Sequence, residues 1–327
     1  MHAVSAVTGS AVRIEADQLD LVARAWDAAV DRTEGADEFC ASSLWSFAAA
    51  ASFPDHDPPV VVGDGSSFAG MRRATAEDGS RLLLGLDPVW GFATPMVGHP
   101  VQAARLLGAR LGLDDHDVAV VTGQRHGGIG LQCLVQVLGE RRRLLQGPTE
   151  QRLQADLSDG LEPWLARRSS RFRQRLRQVR RRAEEAGVTV VDCSALAPDD
   201  AVDRVLAVEA RSWKGEEGTG LASESLADFY RRMAWRLAAS DQLRLLFARQ
   251  GDRDIGYVLG GVRGRTYRGL QLSHAADARD LGIGHLLQIH QLEALVGIDV
   301  YDLGMDMPYK RRWADRIDET FAVLIAP

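Results

Sequence analysis

Three closely spaced strand patterns that lead into a glycine motif constrain the fold of this chain more than any other feature. Alternating or continuous apolar residues predict strands over 243–248, 255–262 and 266–273, and short polar turns separate them. Strands joined by such short turns pair antiparallel, so a meander is expected. A helix over 282–296 and a strand over 298–303 are predicted to follow. This half of the chain is therefore expected to be a mixed α/β domain.

The rest of the chain predicts a second domain of the same general class. At roughly 150 residues per domain, the 327 residues favour two. Helical and strand patterns alternate irregularly before residue 146, where Gly147-Pro148 is expected to break the chain. We place the domains at 1–160 and 161–327. The fold class expected is α/β (α+β), with mostly antiparallel sheets flanked by helices.

Composition and charge exclude several classes of protein. The net charge is −6, which argues against a binder of polyanions along the whole chain. Residues 39–54 form an uncharged stretch, but it contains four serines and is shorter than the roughly 20 apolar residues of a membrane span. Three widely separated cysteines indicate buried thiols in a reducing, cytoplasmic setting. No histidine, cysteine or carboxylate spacing predicts a metal site.

The motif Arg279-Asp-Leu-Gly282-Ile-Gly284 lies between the meander and the predicted helix. Glycines let a ligand approach the backbone, and the positive end of a helix dipole favours an anion there. A pyrophosphate group fits this arrangement. No Gly-Lys-Ser/Thr follows, as a Walker A motif requires. The flanking strands are antiparallel, unlike those around the dinucleotide fingerprint.

This motif in this context resembles the acyl-CoA pyrophosphate loop of GNAT-type N-acyltransferases. Further blocks resemble one branch, the cellulose-biosynthesis-type (CelD/BcsL-like) acetyltransferases, whose architecture is related to that of Fem-type aminoacyl transferases. The blocks are 39–45 (Phe-x-x-Ser-x-x-Trp), 209–214, Phe229-Tyr230, the arginine-rich segment 167–182 and 307–313. The resemblance implies two tandem GNAT-like lobes, of which the C-terminal lobe binds acyl-CoA and the N-terminal lobe shapes the acceptor cleft or is structural.

The resemblance also implies roles for individual residues. The acyl thioester would lie between the strands at 266–273 and 298–303, with Tyr309 as acid, His274 as base and Glu209 as a further catalytic carboxylate. Residues implied to hold acyl-CoA are Leu272, Ser273, Arg279, Leu281, Gly282, Ile283, Gly284 and Lys310. Residues implied to face the acceptor are Trp213, Lys214, Asp302 and Asp306. Each ionisable residue also has an ordinary alternative, such as a partly buried tyrosine, a locally paired histidine or a solvated carboxylate.

Two features need separate interpretation. Arg125-His-Gly-Gly128-Ile-Gly130 repeats the motif, but it lacks the preceding meander, so we do not expect it to bind cofactor. Residues 167–182 contain nine arginines, and Phe172, Leu176, Val179 and Ala183 form an apolar stripe at helical spacing within and just beyond them. We expect a docked amphipathic helix whose arginines are solvated or paired.

The sequence predicts an N-acyltransferase that moves an acyl group, acetyl as first choice, from acyl-CoA to a primary amine of a small metabolite, amino sugar or peptide. Two alternatives stay open. A Fem-type enzyme would use aminoacyl-tRNA, held by the arginine-rich helix, with a strong salt dependence. A non-catalytic relative would bind CoA without turnover.

Overall fold

The computed structural model describes residues 6–7, 11–53, 57–113, 115–212, 221 and 223–326. The chain forms two compact units, unit 1 (Met1–Glu150 with Glu319–Pro327) and unit 2 (Gln151–Asp318). The sequence boundary at 160 assigned the last strand to the C-terminal lobe, whereas the compact units assign most of it to unit 1. That strand pairs with a strand of unit 1, which explains the difference.

Unit 1 is built on a mostly antiparallel sheet. Its strands are β1 (Ala6–Val7), β2 (Ala11–Ile14), β3 (Val60–Gly63), β4 (Phe68–Thr75), β5 (Arg81–Gly85), β6 (Met96–Val97) and β7 (Val118–Gln124). Its helices are α1 (Leu19–Val30), α2 (Glu38–Ala41), α3 (Ser43–Ser52), α4 (Pro100–Leu111) and α5 (Ile129–Leu138). Strands β2 to β5 pair antiparallel in sequence order, and β7 then pairs parallel with β5.

Unit 2 repeats this order of elements. Its strands are β8 (Arg143–Asp156, which begins in unit 1), β9 (Val188–Asp192), β10 (Leu243–Gln250), β11 (Arg253–Arg263), β12 (Thr266–His274) and β13 (Val300–Met305). Its helices are α6 (Leu161–Ala166), α7 (Ser170–Glu185), α8 (Pro198–Glu209), α9 (Glu224–Ala238) and α10 (Ile283–Ala294). Strands β9 to β12 form the predicted antiparallel meander with one additional strand, and β13 pairs parallel with β12.

The long last strand, β14 (Arg316–Ala326), completes unit 1 by pairing antiparallel with β7. In unit 2 the corresponding place beside β13 is taken by β8. The mixed α/β class and the mostly antiparallel sheets are therefore confirmed. The expected break at Gly147-Pro148 is wrong, because β8 runs through it. A Cβ at Gly147 would lie 3.2 Å from the Ala322 carbonyl oxygen, so the glycine serves a close approach of β14.

Each unit buries its own apolar clusters between helices and sheet. In unit 2, Phe172 and Leu176 of α7 pack with Trp164 and Trp313 in one cluster, while Val179 and Ala183 pack in another. The predicted amphipathic docking of the arginine-rich helix is thus confirmed. The three cysteines are buried, as expected. In the described part of the chain, no helix combines the length and apolar character that a membrane crossing requires.

Candidate functional site

The central feature of unit 2 is a gap between two parallel strands. The ladder that joins β12 to β13 consists of the pairs Thr266–Val300, Tyr267–Tyr301 and Arg268–Asp302 and ends there. Beyond Arg268, β12 continues along β11, whereas β13 continues along β8 through Gly304 and Met305. Because the strands are parallel, both carboxyl-terminal ends lie at the same edge of the sheet. An extended ligand can therefore enter between them from that edge.

A buried ionic cluster occupies the point at which the two strands separate. The Asp302 carboxylate lies 2.7 Å from Arg268 and 3.3 Å from Arg152, and Arg152 also lies 2.6 Å from Asp318. The Gly304 N–H donates a hydrogen bond of 2.8 Å to Asp302. Burial opposes ionisation of the carboxyl, but the two guanidinium groups outweigh it, so the pKa of Asp302 is lowered. Asp302, expected at the acceptor, thus lies among interior ion pairs.

The glycine motif joins the end of a 3-10 helix (Ala276–Leu281), which contains Arg279, to the start of α10. Gly282 has a φ of 72°, which is left-handed backbone. A Cβ on it would also lie 2.8 Å from Val179 of α7, so no other residue fits there without rearrangement. The first N–H groups of a helix have no partner within the helix. Here the first helical hydrogen bonds are donated by His285 and Leu286 to the Gly282 carbonyl. The N–H groups of Ile283 and Gly284 come before these and have no acceptor within the helix.

The corresponding helix start in unit 1 has no N–H at its first helical position. Helix α4 occupies the place between β5 and β7 that α10 occupies between β12 and β13. The Gly98 N–H donates to Thr33 Oγ1 at 2.8 Å, and the His99 N–H donates to Ser67 Oγ at 3.1 Å. Pro100, the next residue, has no N–H. The helix start in unit 2 is therefore the better anion site of the two.

The second copy of the motif lies elsewhere in the topology. Arg125–Gly130 follows β7, the strand that corresponds to β13, whereas the first copy follows the meander. The Arg125 guanidinium donates to the Gly35 carbonyl at 2.8 Å. This position supports the expectation that the copy does not hold a cofactor.

The candidate acid and base lie at the carboxyl-terminal ends of the two diverging strands. His274 is the last residue of β12, and its Nδ1 lies 3.1 Å from the Ala275 carbonyl oxygen. A carbonyl oxygen only accepts, so Nδ1 is the donor in this contact, and Nε2 is the nitrogen with the lone pair in the neutral tautomer that makes it. Tyr309 precedes a 3-10 turn (Lys310–Arg312) after β13 and is 46% exposed. Burial of the rest of the ring raises the pKa of Tyr309.

Glu209 lies within a buried polar cluster that sequence reasoning did not foresee. Its side chain is 3% exposed, and its Oε2 accepts a hydrogen bond of 3.1 Å from the Tyr257 hydroxyl. Burial raises the pKa of Tyr257 well above its ordinary value, and the neighbouring Glu209 adds to the effect. Next to it, Gln271 of β12 donates to the Tyr230 hydroxyl at 2.9 Å. The sequence blocks 209–214 and Phe229-Tyr230 pointed to two members of this cluster, Glu209 and Tyr230, but not to Tyr257 or Gln271.

The remaining candidates are placed as follows. Lys310 donates to the Met305 carbonyl at 3.3 Å, and its ammonium lies 5.9 Å from the Tyr309 ring. Asp306 is paired with Arg311 at 2.5 Å. Trp213 and Lys214 lie outside the described residues. No group of three or more potential metal ligands occurs among the residues that the structure describes.

Comparison with known proteins identifies the class of unit 2. Residues 170–311 match the family described as "Acetyltransferase (GNAT) domain". Unit 2 therefore contains a GNAT-superfamily acetyltransferase domain, and the matched segment includes both strands of the gap and the glycine motif. No curated protein gives a significant sequence match.

Solved structures are similar over nearly the whole chain. A conserved protein of unknown function from Bacteroides thetaiotaomicron VPI-5482 has a TM-score of 0.64 at 13% identity, covering 95% of this chain and 98% of that one. FemX has a TM-score of 0.61 at 11% identity, covering 91% and 95%. The C-terminal domain of a putative lysylphosphatidylglycerol synthetase from Agrobacterium fabrum has a TM-score of 0.56 at 13% identity, covering 93% and 91%. At these identities the likeness concerns the fold alone.

Proposed function

We propose that the protein is an N-acyltransferase that moves an acyl group, acetyl as first choice, from acyl-CoA to a primary amine of a small metabolite, amino sugar or peptide. The observation that carries this proposal is the open start of α10 beside the gap between β12 and β13. The equivalent helix start in unit 1 has Pro100, which lacks an N–H, at its first position. Within this proposal, unit 2 binds the donor, unit 1 shapes the acceptor cleft, and the chain is a CelD/BcsL-like acetyltransferase.

In this proposal the N–H groups of Ile283 and Gly284 bind the donor's pyrophosphate, and the backbone of Leu272 and Ser273 binds the pantetheine arm. Bound acyl-CoA supplies the thioester carbonyl that the amine attacks. His274 accepts the amine proton at Nε2, because its Nδ1 proton is engaged by the Ala275 carbonyl. Tyr309 donates a proton to the departing thiolate. Glu209 accepts a hydrogen bond from Tyr257 of β11. Its role in this proposal is therefore to position that strand rather than to touch substrate.

Direct measurement of donor use tests the proposal. The purified protein is incubated with acetyl-CoA and a panel of primary amines, and thiol release and acylated product are quantified. Mass spectrometry of the protein as isolated then looks for retained CoA species. We expect CoA binding and amine-dependent thiol release. Transfer that requires aminoacyl-tRNA and proceeds without CoA would favour the Fem-type alternative, and CoA binding without transfer to any amine would favour the non-catalytic one.

Gly284→Leu is expected to weaken acetyl-CoA binding by at least about tenfold, since charge-assisted hydrogen bonds to the pyrophosphate would be lost. A Cβ at Gly284 lies 3.2 Å from Leu272 Cδ2, so the new side chain would grow towards the strand edge where the pantetheine arm is proposed. Titration calorimetry measures the affinity. Gly130→Leu is a matched control, because its Cβ lies 3.3 Å from Gln124 Oε1. A larger loss of acetyl-CoA affinity in Gly130→Leu than in Gly284→Leu would show that the cofactor site lies in unit 1.

A further inference from the structure

Five of the seven arginines of α7 line one of two cavities. Arg173, Arg177 and Arg180 line a cavity of about 450 Å³ that also contains Glu162 and Glu293. Arg180 forms an ion pair with Glu293. The two carboxylates therefore offset most of the positive charge of the three arginines in this cavity.

The second cavity has a volume of about 630 Å³, and we name it the arginine pocket, defined by Arg167, Arg168, Arg171, Arg175 and Arg312. Among the described residues that line it there is no carboxylate, and the polar remainder is Ser169, Gln174 and Gln178. Arg167 and Arg168 both reach Asp315 outside the lining. Within the described part of the chain, Arg171, Arg175 and Arg312 form no ion pair. The pocket thus holds uncompensated positive charge.

The arginine pocket lies beside the first turn of α10. His285, in that turn, stacks on Trp313 with ring centroids 5.7 Å apart and meets Phe172 of the pocket at 6.1 Å. Burial, together with the charges of Arg175 and Arg312, lowers the pKa of His285 to about 4. The histidine therefore stays neutral at physiological pH, and the arginines alone carry the positive charge at this place. Arg312 is three residues from Tyr309, which connects the pocket to the proposed acid.

We propose that the arginine pocket binds the phosphate groups at the nucleotide end of the acyl-CoA donor, an assignment that rests on the function proposed above. Guanidinium groups bind phosphate through paired charge-assisted hydrogen bonds. The volume is within the range of pockets for small molecules. The pocket is local on a chain of net charge −6, which favours a nucleotide over a nucleic-acid strand. The sequence expectation that these arginines are only solvated or paired is thereby revised for Arg171, Arg175 and Arg312.

The test compares Arg175→Gln and Arg312→Gln with a control, Arg177→Gln. The control removes the same charge from α7 at the other cavity, which contains two carboxylates. Calorimetric titration uses CoA and 3′,5′-ADP, a probe that has the nucleotide phosphates but no thiol. We expect each pocket variant to bind both probes about tenfold more weakly. Arg177→Gln should stay within about twofold, and thermal unfolding of all variants should match the wild type.

The outcomes separate this proposal from the proposed function. Weaker 3′,5′-ADP binding in both pocket variants supports the pocket even if no acyl transfer is found. Wild-type CoA affinity in both pocket variants overturns it while leaving acyl-CoA dependence intact. An equal loss in Arg177→Gln overturns it as well, because general charge would then explain the binding. Loss of binding to a short RNA, with no binding of either nucleotide probe by the wild type, assigns the arginines to the Fem-type alternative instead.

Discussion

Asp302→Asn is expected to lower the free energy of unfolding by about 3–5 kcal/mol, the usual cost of removing one partner from a buried ion pair. Asp302 and Arg268 are each 3% exposed in their side chains, and Arg152 is 7% exposed. Asparagine keeps the shape and one oxygen for the Gly304 N–H but removes the charge. Arg152 would keep its ion pair with Asp318, whereas Arg268 would lose the carboxylate of Asp302. Urea unfolding followed by circular dichroism measures the change.

The control is Asp299→Asn, which breaks the ion pair between Asp299 and Arg265. These two residues directly precede the first paired residues of β13 and β12. These side chains are 33% and 67% exposed, so solvent screens the pair and the substitution should destabilise far less than Asp302→Asn. Since the pKa of Asp302 is lowered in the folded state, its stabilising effect is complete above the unfolded pKa. The effect is lost as the pH falls through the folded value. Equal destabilisation by the two substitutions would show that the cluster does not stabilise the separated strands.

Local patterns in the sequence predicted most elements because their cause is local. The apolar stripe of α7 is a property of helical spacing, and all four stripe residues are buried. The meander follows from short polar turns between β10, β11 and β12. The continuous strand through Gly147-Pro148 was missed because its cause is the approach of β14, more than 170 residues later in the chain. The division into units was affected in the same way, since β8 and β14 each begin in one unit and end in the other.

The candidate site could be located from sequence but its partners could not. The glycine motif and its helix were predicted because they are adjacent in the chain. Asp302 was interpreted as facing the acceptor because burial and the contact with Arg268 are invisible in a sequence. For the same reason the sequence could not predict the hydrogen bond between Glu209 and Tyr257. It also could not predict that Arg175 and Arg312 line one pocket near His285. These contacts join residues that are far apart in sequence and depend on the packed fold.

Tyr309 is the residue whose replacement should affect turnover most. The residue follows the carboxyl-terminal end of β13, and burial raises its pKa above the ordinary value of 10.0. This direction is opposite to the lowering that a neighbouring lysine would cause. A raised pKa keeps the hydroxyl protonated at neutral pH, as a proton donor requires. We therefore expect deprotonation of Tyr309 to decrease kcat only above pH 10.0.

Tyr309→Phe should lower kcat by about 100- to 10,000-fold, the contribution of a positioned acid, and by at least about tenfold if a water partly replaces it. The ring is kept, so the fold and the affinity for acetyl-CoA should survive, and calorimetry checks this. Tyr301→Phe is a matched control: its hydroxyl accepts from Gln288 in the interior at 2.9 Å, and its removal should leave kcat within a few-fold. The decisive measurement is single-turnover kinetics, which isolates the chemical step. An unchanged single-turnover rate in Tyr309→Phe would remove the tyrosine from proton transfer and make His274 the next residue to replace.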